Sequence, residues 1–289
     1  MKILVGPRPA ATWRTRETIT SLCCALTLSL CACDAKLPTL PRVQGRIIYG
    51  LDGNNNLIRF GSMSPGTVTN TFPISGLQNG ENILGIDFRP NDGRLFGMSN
   101  MNRVYTLDTL SGVAASVGVA AFTPVLNGFA FGFDFNPVPD RIRVHSDAEQ
   151  DLRLNPNTGS LAGSDSSLTY AGGDANFGIN PNIVGTAYTN SVVGASTTTL
   201  YAIDSGLDVL VTLPTPNNGS MYTIGALGVN TSNAVGFDIT GNDGVAYAAL
   251  TVAPNIFSSL YFIDLSSGTA VLLGNIANPS ALRGIAVAP

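Results

Sequence analysis

The sequence predicts a single all-β domain, a five-bladed β-propeller, because two short patterns each recur five times along the chain. The chain has 289 residues, of which 44% are hydrophobic, 12% are charged and 32 are glycines. Many Gly, Asn, Ser and Thr with few Lys and Glu favour strands and tight turns over helices. A repeat of about 50 residues with about four short strands is typical of a propeller blade.

The first pattern is a strand, a turn and a second strand. In most copies an apolar residue at the end of the first strand is followed by Asp or Asn. An Asx side chain bonds the backbone of a turn, and the Gly that often follows supplies a positive φ. The equivalent apolar residues lie 47, 47, 49 and 60 residues apart. They are Phe60, Leu107, Leu154, Ile203 and Ile263.

The second pattern is a glycine that opens a short apolar strand. It precedes the first pattern within each repeat, and its copies lie 47, 53, 51 and 48 residues apart. We expect these strands to be the inner strands of the blades. The copies are GIDF from Gly85, GFDF from Gly132, GTAY from Gly185, GFDI from Gly236 and GIAV from Gly284.

The two ends of the repeat region predict how the ring closes. The region begins at Arg46 with strands that lack the glycine-led inner strand, and it ends with that strand, in RGIAVAP. Pairing Arg283–Ala288 with the strand begun by Ile47 would complete one blade and remove open sheet edges. The predicted domain therefore spans 46–289. Its blades are expected at 46–75 with 283–288, 83–122, 129–172, 182–228 and 234–277.

The first 32 residues have the features of a bacterial export signal. Four basic residues precede an apolar run at 19–30 that is too short to span a bilayer. Leu30, Cys31, Ala32 and Cys33 then resemble a lipobox, although a cysteine is unusual at its middle position. We expect 1–32 to be a lipoprotein signal peptide, Cys33 to carry lipid and 33–45 to be a tether. The protein is then exported and anchored to the cell envelope, with ordinary secretion as the alternative.

The charge of the mature chain limits its partners. After residue 32 the chain has 11 Lys and Arg and 18 Asp and Glu, a net charge of −7, and Lys36 is its only lysine. Nucleic acids and anionic lipid surfaces require clustered basic residues. We therefore expect no nucleic acid partner, membrane contact through the lipid anchor alone, and a monomer.

The repeat region resembles the bacterial family DUF4394, a domain of unknown function. The resemblance covers nearly all of 46–289 and is most specific at 131–159, FGFDFNPVPDRIRVHSDAEQDLRLNPNTG. Three further stretches carry it: SPGTVTNTFPISGL at 64–77, GIDFRPNDGRLFGM at 85–98 and NPNIVGTAYTNSVVGASTTTLYAID at 180–204. The family name implies no activity, so the resemblance supports the fold alone.

Three aspartates occupy the same position in three of the glycine-led strands. They are Asp87, Asp134 and Asp238, and the other two copies have Ala187 and Ala286. Inner strands surround the channel of a propeller, so the three carboxylates are expected to approach one another. The favoured interpretation is a hydrogen bond repeated from blade to blade. The alternatives are a cation site and a catalytic acid and base, as in five-bladed propellers that cleave glycans.

The densest run of charge lies at 140–153. If 141–147 is a strand, its period of two places four polar residues on one face: Arg141, Arg143, His145 and Asp147. Arginines are scarce in this chain, so we expect at least one of the two to pair with a carboxylate. The alternative is a site for an anion or carboxylate, bound by the guanidinium fork. The expected partners are the nearby acids Asp134, Asp140 and Asp147 or acids of the next blade.

The sequence predicts neither a metal site nor a cofactor. All four cysteines precede Asp34, and His145 is the only histidine, so the ligands of a zinc site are missing. The run from Asp52 to Asn56 begins like a calcium loop, but Met63 stands where a bidentate Glu is needed. A turn between two strands is the better interpretation of that run.

These observations leave three hypotheses for function. The first is a non-enzymatic propeller that binds a protein or a glycan. The second is a glycan-active enzyme that uses the channel carboxylates, and the third is a purely structural envelope protein. Two solvent-open, unpaired carboxyls about 5–9 Å apart would favour the enzyme, whereas buried carboxyls would favour the binding module.

We expect the intact mass of the protein extracted from membranes to correspond to a chain that begins at lipid-modified Cys33. The substitution Cys33→Ala removes the attachment point of the lipid and is expected to release soluble protein. An unmodified N-terminus that begins elsewhere would contradict this prediction.

Overall fold

The computed structural model describes residues 44–289, in which five mainly antiparallel sheets form the blades of a β-propeller. The predicted fold class is therefore confirmed. The predicted signal peptide, Cys33 and nearly all of the tether lie outside the described residues. Residues 44–289 contain no helix with the length and apolarity of a membrane span.

Four blades have four strands and blade 4 has five, and the strands of each blade are hydrogen-bonded in order from the centre outward. Blade 1 contains β21 (Leu282–Val287), β1 (Ile47–Asp52), β2 (Asn56–Gly61) and β3 (Asn70–Pro73). Blade 2 contains β4 (Ile83–Phe88), β5 (Leu95–Ser99), β6 (Val104–Leu107) and β7 (Ala114–Val117). Blade 3 contains β8 (Phe131–Asn136), β9 (Arg141–Ser146), β10 (Asp151–Leu154) and β11 (Leu161–Ser164).

The remaining two blades follow the same order. Blade 4 contains β13 (Ile183–Tyr188), β14 (Leu200–Asp204), β15 (Val209–Leu213) and β16 (Ser220–Ala226). A 3₁₀ turn at Pro216–Asn218 joins its last two strands. Blade 5 contains β17 (Thr231–Ile239), β18 (Ala246–Val252), β19 (Ser259–Ile263) and β20 (Ala270–Asn275).

One assignment made from the repeat spacing is wrong. Residues 165–172 were expected to belong to blade 3, but they leave it after β11. Their short strand β12 (Thr169–Tyr170) pairs in parallel with β16 and becomes the outer edge of blade 4. Equal spacing along the chain does not reveal that a connection adds a fifth strand to the next sheet.

The ring is closed by the two ends of the described chain, as predicted. β21 pairs antiparallel with β1, so that Ile48 lies opposite Val287 and Gly50 lies opposite Ile285. This pairing supplies blade 1 with its inner strand. It also joins the beginning and the end of the propeller through backbone hydrogen bonds, without a covalent cross-link.

The glycine of each inner strand allows the next blade to approach closely. A Cβ on Gly85 would lie 2.5 Å from the Cβ of Phe133, and one on Gly132 would lie 2.6 Å from the Cβ of Thr186. Such distances exclude any larger residue unless the backbone moves. Close approach recurs at Gly185 with Phe237 and at Gly236 with Ile285, at 3.0 and 2.5 Å, whereas a Cβ on Gly284 would lie 3.5 Å from Ile86, an ordinary van der Waals distance.

The hydrophobic core lies between neighbouring blades. Phe96 of blade 2 packs edge to face on Phe135 of blade 3, with ring centroids 5.2 Å apart. Ile58 of blade 1 packs in one cluster with Tyr247 of blade 5. Each blade therefore buries its apolar faces against its neighbours, and the stability of one blade depends on the next.

The predicted turn between the first two strands is confirmed. Asp52 Oδ1 accepts the backbone N–H groups of Asn54 and Asn56, at 2.9 and 2.8 Å. The carboxylate that resembled the start of a calcium loop is thus used to hold the turn between β1 and β2.

Deletion of residues 283–289 is expected to abolish cooperative unfolding or to cause aggregation. The deletion removes most of β21 and the buried side chains of Ile285 and Val287. Burial of each is worth roughly 1.5–3 kcal/mol, a large part of a net stability of about 5–15 kcal/mol. Removal of the exposed Pro289 alone is the control and is expected to leave the melting curve unchanged. A normal melting curve for the longer deletion would contradict closure by β21.

Candidate functional site

Three aspartates meet where the inner strands of blades 2, 3 and 5 converge. Asp87 lies on β4, Asp134 on β8 and Asp238 on β17, and all three are buried. One carboxylate oxygen from each lies within 4.8 Å of the other two. The structure therefore brings these residues together, as their shared position in the repeat predicted. We call this group the aspartate hub.

The hub accepts hydrogen bonds from the backbone of all five inner strands. Each aspartate accepts a backbone N–H from the inner strand of the next blade. The donor is the third residue after the glycine of that strand, and this is the predicted blade-to-blade bond. Blades 4 and 1 have alanine at the aspartate position, so the corresponding N–H of blades 5 and 2 bonds the aspartate of its own strand. The blade-to-blade bonds join Asp87 to Phe135 at 2.8 Å, Asp134 to Tyr188 at 3.0 Å and Asp238 to Val287 at 2.6 Å. The bonds within a strand join Phe88 to Asp87 at 2.7 Å and Ile239 to Asp238 at 2.6 Å.

The hub carboxyls hold protons more tightly than ordinary aspartates. Burial raises the pKa of Asp238 to about 6, and the two backbone N–H bonds limit the rise. Burial also raises the pKa of Asp87 and of Asp134 well above their usual range, and the charges of the neighbouring carboxyls add to the effect. A low dielectric and like charges both disfavour the ionised form.

The space beside the hub is small. A pocket of about 30 Å³ is lined by Asp87 and Asp238 together with Arg46 and Arg89. That volume holds about two water molecules, which is too little for a sugar ring. Arg46 and Arg89 are themselves paired, with Asp243 and Asp140 respectively. Both oxygens of Asp87 and of Asp238 accept backbone bonds, so catalysis and cation binding at the hub remain hypotheses from the sequence.

Arg143 lies at the interface between blade 3 and blade 4 and is almost completely buried. Its Nη1 donates to Asp151 and to Asp165, both at 2.6 Å. From blade 4, Tyr188 accepts from Nε at 3.2 Å and Asn217 accepts from Nη2 at 2.7 Å. Burial opposes the charge of Arg143, but Tyr188 and Asp151 raise its pKa above the ordinary value.

The predicted pairing of an arginine with a carboxylate is confirmed, although the partners named from their closeness in sequence are wrong. None of Asp134, Asp140 and Asp147 pairs with Arg143; its acids are Asp151 on β10 and Asp165 after β11. Closeness along the chain did not identify the partners of Arg143, because the neighbouring strand β10 and the next blade supply the groups that bond its guanidinium.

His145 lies deeper than a ligand would reach. Its Nδ1 lies 2.7 Å from Thr186 Oγ1, and its Nε2 lies 3.5 Å from Asp151 Oδ1. The side chain is fully buried. The strand thus places His145 beside a partner of Arg143, in the interior of the blade interface.

A larger pocket opens beside Arg143. Its volume is about 160 Å³. Cross-strand pairing sets Arg153 opposite Arg143, and Arg141 lies two residues earlier on the same face of β9. We call this cavity the arginine pocket. Its lining residues are Asn136, Pro139, Arg141, Arg143, Arg153 and Asn217.

Arg141 has free hydrogen-bond donors at this pocket. Its Nη1 donates to the backbone carbonyls of Pro139 at 3.1 Å and Asp140 at 2.8 Å. Among residues 44–289, nothing accepts from its Nε or Nη2. Arg153 is one-third exposed and donates to Asp165 through Nε and Nη2, at 2.7 and 2.8 Å.

The sequence pointed to Arg141 and Arg143 and missed the other four lining residues, of which Arg153 and Asn217 bond the arginine–aspartate network of this pocket. Arg153 lies in the same charged run as Arg141, and pairing the strand at 141–146 with the strand that follows it would have set Arg153 opposite Arg143. Asn217 comes from the following blade and lies 74 residues from Arg143 along the chain. No local pattern points to such a contact.

A family model described as "Domain of unknown function (DUF4394)" matches residues 56–286. The chain belongs to the DUF4394 family. The resemblance found in the sequence is therefore confirmed. A comparison of this DUF4394 chain with curated proteins finds no match.

The solved structures to which this DUF4394 chain is similar share little sequence with it. Hydrazine synthase of Kuenenia stuttgartiensis has 16% identity and a TM-score of 0.38, over 71% of this chain and 51% of that chain. Myxococcus xanthus glutaminyl cyclase has 11% identity and a TM-score of 0.46, over 72% of this chain and 83% of that chain. A Bacteroides thetaiotaomicron protein of unknown function has 14% identity and a TM-score of 0.48, over 82% of this chain and 60% of that chain. The chain spans about half the length of the hydrazine synthase and of the dihydro-heme d1 dehydrogenase NirN.

The substitution Arg143→Ala is expected to lower the free energy of unfolding by about 3–5 kcal/mol, because it leaves buried Asp151 without its partner. The exposed Arg94, which pairs with Asp92, provides the control. Arg94→Ala is expected to cost at most about 1 kcal/mol. Equal thermal midpoints for Arg143→Ala and the natural protein would refute the structural role of Arg143.

The stability of this DUF4394 domain is expected to fall as the pH rises from about 4 to above 6. The pKa of Asp238 is about 6 in the folded state, against about 3.9 when unfolded. The folded state therefore binds the proton more tightly, and this contribution, on the order of 3 kcal/mol, is lost as the pH passes the folded pKa.

The substitution Asp238→Asn removes this charge and is expected to reduce the loss of stability between pH 5 and pH 8, measured by urea unfolding. Asp264→Asn, in a surface turn, is the control and is expected to leave the change of stability with pH as it is in the natural protein. If the free energy of unfolding changes with pH equally in Asp238→Asn and in the natural protein, the hub does not titrate in this range.

Proposed function

We propose that this protein is a non-enzymatic binding module of the bacterial cell envelope, which holds a protein or glycan ligand at the arginine pocket. The observation that carries the proposal is the free Nε and Nη2 edge of Arg141 on a cavity of about 160 Å³. A cavity with a few convergent polar groups is the usual form of a ligand site.

The charge of the protein supports this choice of site. The mature chain is acidic and has few arginines, yet three of them line one cavity. Arg143 uses four of its five N–H groups within the fold. Among the described residues, Arg141 donates only through Nη1, and nothing accepts from Nη1 of Arg153. Two guanidinium groups thus retain donors for a molecule that enters from solvent.

The alternative is a glycan-active enzyme that uses the aspartate hub. In its favour, three carboxyls lie close together and the pKa of Asp238 is raised to about 6, as a general acid requires. Against it, the hub is buried, bonds five backbone N–H groups and adjoins a pocket of only about 30 Å³. Binding is therefore the better-supported function.

The proposed location in the cell envelope is inferred from the signal peptide and Cys33 alone. Basic residues, an apolar run and the segment from Leu30 to Cys33 support export followed by lipid attachment. A lipid anchor at Cys33 with a short tether would hold the propeller near a membrane surface and leave the arginine pocket available to envelope polymers.

The test uses the propeller of residues 44–289, whose two ends close the ring, immobilised and exposed to a glycan array and to envelope protein. We expect a specific ligand whose affinity falls about ten-fold or more in Arg141→Ala, with an unchanged melting temperature. Arg103→Ala, which removes an arginine outside the pocket, is the control and is expected to retain binding.

Two results would contradict the proposal. One is retention of the ligand by Arg141→Ala at full affinity. The other is glycan cleavage by the natural domain that disappears in Asp238→Asn, which would favour the enzyme.

A further inference from the structure

The charges around the arginine pocket leave one positive charge uncompensated. Three arginines line the pocket, and Asp151 and Asp165 neutralise two of them. The neighbouring charges are balanced, because Asp140 and Asp92 pair with Arg89 and Arg94. The free charge belongs to Arg141, whose described partners are two neutral carbonyl groups. A ligand group with a single negative charge would complete the balance.

The free edge of Arg141 has the shape of a carboxylate partner. Because Nη1 is held by the carbonyls of Pro139 and Asp140, the guanidinium plane is fixed and its Nε and Nη2 groups point away from those carbonyls. Two parallel N–H donors match the two oxygens of a carboxylate. A phosphate dianion would bring a second charge that the pocket does not neutralise.

The rest of the lining suits hydroxyl groups. Asn217 uses its Oδ1 to accept from Arg143 and has its amide N–H groups left to donate. Asn136 also lines the cavity, and Pro139 is its one apolar lining residue. An apolar peptide side chain would find little surface to contact. A volume of about 160 Å³ is below the roughly 300 Å³ at which drug-sized sites begin and suits a single sugar ring.

From this charge, shape and lining we infer that the arginine pocket binds the uronic acid residue of an acidic glycan. The carboxylate lies on the Nε and Nη2 edge of Arg141, and the ring hydroxyls contact Asn217, Asn136 and the free Nη1 of Arg153. This inference rests on the proposed function, since it names the ligand class of the same pocket. Binding displaces water and involves no chemical step.

The test is an NMR titration of the arginine Nε–H signals of the domain with D-glucuronate and D-galacturonate. D-Glucose, which has a hydroxymethyl group in place of the carboxylate, is the matched ligand control. We expect the uronates to shift the Arg141 signal and to bind at least about ten-fold more tightly than glucose. Arg141→Lys keeps the charge but loses the fork, and it is expected to weaken uronate binding by about ten-fold. Arg103→Lys, outside the pocket, is expected to bind normally.

Two further ligands separate the failure of this inference from failure of the proposed function. If N-acetylglutamate or inorganic phosphate shifts the Arg141 signal and the uronates do not, the uronate inference is overturned and the pocket remains a binding site. If no ligand shifts the signal and the glycan array and envelope protein also show no binding that depends on Arg141, both are overturned. Equal binding of glucose and glucuronate would overturn the role of the carboxylate.

Discussion

The whole propeller depends on one contact, the close approach of each inner strand to the next. A glycine permits this approach because it has no Cβ, and an aspartate two residues later bonds the backbone of the neighbouring strand in three of the five blades. Five backbone N–H groups converge beside a pocket of only about 30 Å³. Three carboxylates satisfy all five, so the two repeats with alanine lose no hydrogen bond.

The aspartate hub therefore has an energetic cost that follows from its structural role. Bringing three carboxyls within 4.8 Å of one another in a buried place raises the pKa of each and favours their protonated forms. The backbone N–H groups offset part of that cost. The same environment that makes a carboxyl resemble a catalytic acid is here required to close a ring of strands.

Arg141 and Arg143 differ in role although they share a strand and a face. Arg143 lies in the middle of β9, where Asp151, Asp165, Tyr188 and Asn217 surround its guanidinium. Arg141 opens the strand at the rim of the blade interface, so that carbonyls hold one of its nitrogens and solvent reaches the others. Arg143 thus bonds blade 3 to blade 4, and Arg141 lines the cavity at that interface.

The repeats alone determined the blade number, the closing strand and the convergence of Asp87, Asp134 and Asp238, because those features depend on period and on equivalent positions. The alternation of β9 also placed Arg141 and Arg143 on one face. The partners of Arg143, the transfer of β12 to blade 4 and the arginine pocket were decided by tertiary structure. They arise where two blades meet, and a residue such as Asn217, 74 positions away, enters the site only because the ring brings blade 4 against blade 3.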